Sequence, residues 1–172
     1  MKVFLLSIHR FSNALSEWMG KWVAWLTLLM VFIVFVVVVL RYLFDWGRID
    51  LQESAIYVHA AIFMLGAAYT LKHDEHVRVD IFYRPAAPKT KAWINLLGVV
   101  FLLFPMMVFI FSMSWEYVAV SWSMHEGSRE AGGLNGVWLL KGLILVMPCL
   151  VSFQGLGQLA ESCLTILDWK KD

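Results

Sequence analysis

Residues 22–40 read WVAWLTLLMVFIVFVVVVL, a run without a single charge in which Val, Leu, Phe, Ile and Met dominate. Crossing about 30 Å of hydrocarbon takes roughly 20 residues at 1.5 Å each, so this run is long enough to pass through a membrane as a helix. Lipid offers no partner to backbone N–H and C=O groups, and a helix satisfies them within its own segment. Three later runs follow the same logic. Residues 54–71 are interrupted only by His59, and residues 92–115 carry Pro105, which removes one helical hydrogen bond and predicts a kink. Residues 137–160 carry Pro148 near the middle and Lys141 one turn inside the start, where its ammonium can reach the headgroups.

The fold class predicted is an all-α membrane protein with spans at about 22–44, 51–71, 92–117 and 137–162, forming a single integral-membrane domain over residues 1–172. Composition agrees: 60% of residues are hydrophobic, 16% are charged and the mean hydropathy is +0.70. Soluble domains run near 45 to 50% apolar and about a quarter charged. A net charge of +1 gives no reason to expect nucleic acid as a partner. Cys149 and Cys163 suit neither a C-x-x-C redox pair nor a zinc knuckle and are read as buried thiols. Near the start, Lys2 precedes a short apolar patch that His9 and Arg10 interrupt, so no cleaved signal peptide is expected.

Orientation follows from Lys and Arg, which accumulate on the cytoplasmic side. Lys2, Arg10, Lys21, Lys72, Arg78, Arg84, Lys89, Lys91, Lys170 and Lys171 fall on one side, which is ten of the fourteen basic residues. Arg41, Arg48, Arg129 and Lys141 fall on the other, so four spans with both termini in the cytoplasm satisfy the bias. Tryptophan prefers the headgroup layer. Trp18, Trp22, Trp25, Trp93 and Trp169 sit at the inner ends and Trp46, Trp115, Trp122 and Trp138 at the outer ones.

Ahead of the first span, Phe4, Ile8, Phe11, Leu15, Trp18 and Trp22 recur at steps of four and three, with polar residues such as His9, Asn13, Ser16 and Glu17 on the remaining surface. This pattern predicts an N-terminal amphipathic helix over about 3–20. It either lies in the membrane interface or extends the first span into the cytoplasm to pack on a partner.

Ionisable residues in the middle of spans mark transport or catalysis, because they are costly there, and these spans hold almost none. Arg41 and Glu53 end spans one and two, close enough to form an outer ion pair or to bridge to a partner. His59 reads as hydrogen-bonded structure, and Gln154 and Gln158 as bonds across helices. His73 and His76 beside Asp74, Glu75 and Asp80 lack a fixed tetrahedral set and read as a salt-bridged turn rather than a metal site. The loop Glu126-Gly127-Ser128-Arg129-Glu130-Ala131-Gly132-Gly133 suits a docking turn and has no phosphate-loop spacing.

Four segments carry a likeness to a known family: Arg41-Tyr42-Leu43-Phe44 with Gln52-Glu53; Gly66-Ala67-Ala68-Tyr69-Thr70-Leu71-Lys72; His76-Val77-Arg78-Val79-Asp80; and residues 126–134 before Trp138 and Lys141. In order and position they resemble the DctQ-like small membrane subunit of tripartite ATP-independent periplasmic (TRAP) transporters. Asn135 departs from the family, which often has proline there.

The resemblance implies a non-catalytic subunit of a secondary transporter in the bacterial inner membrane. A periplasmic substrate-binding protein would deliver an organic acid, and a large membrane subunit would move it with sodium by an elevator motion. The small subunit enlarges the static scaffold among membrane lipids, and sodium belongs to the large partner, so no cofactor is expected here. Residues implied in partner or interface contacts are Arg41, Arg48, Glu53, His76, Arg78, Asp80, Glu126, Ser128, Arg129, Glu130 and Lys141. The alternative is a haem-binding or quinone-linked four-helix anchor of an electron-transfer complex, which needs paired histidines from the spans. An isolated channel or exporter ranks behind both.

Overall fold

The structure, a computed structural model, describes residues 2–76, 81 and 83–168. Its helices are α1 (Lys2–Leu43), α2 (Ile49–Lys72), α3 (Pro88–Gly98), a π-helical turn (Val99–Leu103), α4 (Phe104–Ser123) and α5 (Val137–Asp168). α3, the π turn and α4 follow one another without a break, so among the described residues four helices are long and apolar enough to cross a membrane. No strand occurs among the described residues.

α1 passes through Gly20 and Lys21 without a break, so the amphipathic segment and the first span form one rod of 42 residues, about 63 Å long. The N-terminal stretch is thus a continuation of the span, and it packs on α5 of the same chain. Its apolar stripe turns outward, with Phe4, Phe11, Trp18 and Trp22 exposed, while Ser12 and Ser16 are buried. The polar face is the one that packs, against α5 of the same chain.

Local sequence explains the helix ends. α2 closes where Asp74 adopts a left-handed φ of 59° and the Glu75 N–H reaches back to Thr70 O at 3.1 Å. α4 closes the same way at His125, with φ of 47° and the Glu126 N–H bonded to Ser121 O at 3.1 Å. Both are left-handed caps in which a polar residue replaces the usual glycine. Pro88 opens α3 in the first turn, where its missing N–H costs nothing.

At Pro105, where the sequence predicts a kink, the structure shows a widened helical turn. Pro105 lacks the N–H that would bond Phe101 O, and the helix widens to i→i+5 just before it, with Phe104 N–H bonding Val99 O. That widened turn lies against Gly155 of α5, where a Cβ would stand 3.0 Å from Leu103 Cδ2 and 3.3 Å from Phe104 Cε1.

α5 is the central element. α1, α2 and α5 pack on one another, and the third span finds nearly all its tertiary contacts on α5. Buried apolar residues are small: Ala68, Ala92, Val99, Val118, Val151 and Ala160. Large ones such as Phe35, Phe63, Phe101 and Leu102 face outward. This inversion suits hydrocarbon, where lipid tails are as apolar as Leu and close approach of small residues holds helices together. Cys149 is exposed rather than buried as expected, and Cys163 is half-buried; among lipid tails an outward thiol behaves as a small apolar group.

Candidate functional site

The polar chemistry gathers at the two ends of the helices. One end carries the start of α1, the end of α2, the start of α3 and the end of α5, and is called the basic end here. The opposite end carries the α1–α2 and α4–α5 loops.

At the opposite end, Glu53 projects from the second turn of α2 and latches the α4–α5 loop. Its carboxylate accepts hydrogen bonds from Ser128 Oγ and, at 2.6 Å, from the Leu134 N–H. The loop closes on itself as Ser128 N–H bonds Leu134 O at 3.0 Å and Gly133 N–H bonds Glu130 O at 3.0 Å. The glycine pair has two separate jobs. Gly132 supplies a φ of +82°, and Gly133 leaves the space that the Ser128 side chain and the carboxylate fill, since a Cβ there would lie 2.6 Å from Ser128 Cβ and 2.7 Å from Glu53 Oε2.

Behind this latch the Lys141 ammonium binds the Glu126 carboxylate and sits 4.0 Å from the centre of the Tyr117 ring. Lys141 therefore holds a partly buried ion pair at the base of the loop. Trp122 and Trp138 meet edge to face at 4.8 Å, with Gly142 beneath Trp122.

The Lys141 ammonium holds the Glu126 carboxyl below its ordinary value. Such a carboxyl binds fewer protons in the closed loop than in an opened one, so it favours closure at neutral pH. That contribution persists down to the ordinary carboxylate range and is lost as pH falls through the depressed pKa. Hydrogen exchange of residues 126–134 in the intact chain should accelerate over that acidic window. In Glu126→Gln the acid-induced step should be much smaller, and an unchanged step would refute the assignment.

At the basic end, a directional relay joins α1 to α5. Ser16 Oγ donates to Gln154 Oε1 at 2.7 Å, and Gln154 Nε2 donates to Asn13 Oδ1 at 3.0 Å. Asn13 Nδ2 donates to His9 Nε2 at 3.1 Å, and His9 Nδ1 donates to Gly157 O at 3.3 Å. Gln154 is almost wholly buried and is satisfied at both ends of its amide. Gln158 Nε2 donates to Leu71 O at 3.2 Å, so both glutamines bridge helices as the sequence predicts. Lys72 binds Glu17, whose carboxylate also lies 3.4 Å from His73 Nε2. A polar cavity of about 500 Å³ opens beside this relay, lined in part by His9, Asn13, Lys91, Asn95 and Glu161.

The candidates read from sequence separate into three groups. Glu53, Glu126, Ser128 and Lys141 converge on the latched loop, with Arg129 and Glu130 exposed at its tip. Arg48 clasps Asp50, Nε to Oδ1 at 2.9 Å, and stacks over Trp46. Arg41 stands exposed at the end of α1, and the expected pairing with Glu53 does not form, because that carboxylate is engaged by the loop. His76 is exposed at the basic end, while Arg78 and Asp80 lie outside the described residues.

Sequence reasoning missed Gly20 and the pairing of Ser16 and Asn13 with Gln154. The small residues at 12, 16 and 20, each one helical turn apart, were the available signal.

A family model for the DctQ component of the tripartite ATP-independent periplasmic transporters matches residues 30–165. The chain belongs to the DctQ family. No curated protein and no solved structure matches it. The DctQ match takes in α2 to α4, the latched loop and most of α5, but it starts within α1. In this DctQ protein the Glu53 latch therefore lies wholly inside the matched region. The relay is divided, with Gln154 and Gly157 inside and His9, Asn13 and Ser16 before it.

Proposed function

We propose that this chain is the small, non-catalytic membrane subunit of a TRAP-type secondary transporter in the bacterial inner membrane. It scaffolds a large sodium-coupled subunit that carries an organic acid by an elevator motion, after a periplasmic binding protein delivers the acid. The match of residues 30–165 to the DctQ family carries this reading.

The disposition of polar groups supports it. Side chains between the helices, such as Gln154 and Ser16, bond one another. A transported ion or carboxylate needs coordinating groups near mid-depth, and the buried α5 residues closest to the middle of its span are the apolar Pro148 and Val151. Sodium and substrate are accordingly assigned to the large partner, and no cofactor to this chain. A haem-binding anchor needs histidines turned into the bundle, whereas His59 is exposed and His9 is engaged with Asn13 and Gly157.

The excess of Lys and Arg at the basic end supports a cytoplasmic position for that end and for both termini. The opposite end then presents Arg48, Arg129 and Glu130 to the periplasm, as a surface for the binding protein. Mild-detergent affinity purification from native membranes is expected to recover a much larger polytopic protein with this chain. Recovery of the chain alone would overturn the proposal.

A further inference from the structure

Two hydrogen-bonding side chains stand on the outward stripe of α2 and are unexplained by anything above. Gln52, Ile56, His59 and Phe63 follow at steps of four, three and four, so they share one face of the helix. Ile56 is 60% and Phe63 73% exposed, His59 between them is exposed, and Gln52 is half-buried. Neither the Gln52 amide nor the His59 ring finds a hydrogen-bond partner among the described residues.

Depth makes His59 informative. It follows Ile49 by ten residues, about 15 Å along a helix of 24 residues, which is near the middle of the span. Lys and Arg can lower the cost of such a position by extending to the headgroups, but an imidazole is too short to do so from mid-depth. An ionisable ring aimed away from its own bundle at that depth calls for a protein neighbour, not for hydrocarbon.

We infer that this stripe of α2 is where the chain binds the large membrane subunit, through a partner helix that presents a hydrogen-bonding side chain to His59 at mid-depth. The inference rests on the reading above that a large subunit accompanies this chain, and it adds the face used. Ile56 and Phe63 supply the apolar packing on either side, and Gln52 supplies a second polar contact seven residues nearer the opposite end. Charged surface plays no part in this contact, so it should be insensitive to salt.

The test uses the full chain co-expressed with its large partner, with a photoreactive benzoylphenylalanine replacing Phe63, which leaves His59 intact. Illumination should link the chain to the large subunit. In parallel, His59→Leu should lower recovery of the large subunit about fivefold, as expected for loss of one hydrogen bond between membrane helices, while His59→Gln retains most of it. Thermal stability of the isolated His59→Leu chain should not fall, which separates a lost contact from a misfolded protein.

Adducts to lipid or to a second copy of this chain, with the large subunit still co-purifying, would overturn this inference and leave the scaffold reading intact. Full recovery of the large subunit by His59→Leu would do the same. Failure of the unmodified chain to recover any large subunit would overturn both.

Discussion

Gly20→Leu is expected to cost about 3 kcal/mol or more, the upper part of the range for overpacking a close contact, and to lower the melting temperature of the detergent-solubilised chain by several degrees. The Tyr69 ring of α2 lies directly over Gly20 of α1. A Cβ built there would stand 2.5 Å from Tyr69 Cε2 and 2.8 Å from Cγ, with Cδ2 closer still. Cγ is one bond from the Tyr69 Cβ, so the ring cannot clear the space by a small swing, and it also stacks on His73 with centroids 4.3 Å apart. The helices must separate instead.

In lipid, the new leucine gains nothing from burial that the acyl chains do not already offer, so lost packing is not offset. Intrinsic helix preference predicts the opposite sign, because leucine favours a helix over glycine by nearly 1 kcal/mol. A melting temperature equal to or above that of the unmodified chain would therefore refute the close-approach argument. Gly20→Leu combined with Tyr69→Ala should recover part of the loss, since the clash and not the helix is at fault.

Glu53→Ala is expected to release the α4–α5 loop at a cost of about 2 kcal/mol, typical of removing hydrogen bonds to a charged group that is partly solvated. Both its partners lie in the loop: the Ser128 hydroxyl and the Leu134 N–H. After truncation the Leu134 N–H must find water or stay unpaired, and the cavity that Gly133 leaves for the carboxylate stands open. Limited proteolysis should then cut within residues 126–134, where the unmodified chain resists, while the helices stay assembled. Glu53→Gln should fall between the two, because it keeps one acceptor and loses the charge. Equal resistance of all three proteins would show that the loop holds its shape without the latch.

Together these two sites tie the helices to one another at opposite ends of α2. Gly20 sets how closely α1 and α2 approach, and Glu53 ties the start of α2 to the loop between α4 and α5, joining helices that are otherwise linked mainly through α5.

The four spans were legible from residues 22–40 and their three counterparts, as was the family from the motifs around Glu53 and residues 126–134. Partition into hydrocarbon is a sum over neighbouring residues, so it is decided locally and survives without knowledge of what lies opposite. The use of Gln154 and Gln158 as bridges was legible for the same reason, because an amide in a span has few alternatives.

Tertiary structure alone decided the pairings. Arg41 and Glu53 are near in sequence, yet Glu53 bonds residues 75 and 81 positions away. The polar face of residues 9–16 has no evident occupant until α5 is laid against it, and the His59 ring reads as hydrogen-bonded structure until α2 is seen to turn it outward. Helical periodicity states which residues share a face, but the rotation of each helix about its axis is set by contacts such as Gly20 with Tyr69 and Gly155 with Leu103, which join distant parts of the chain.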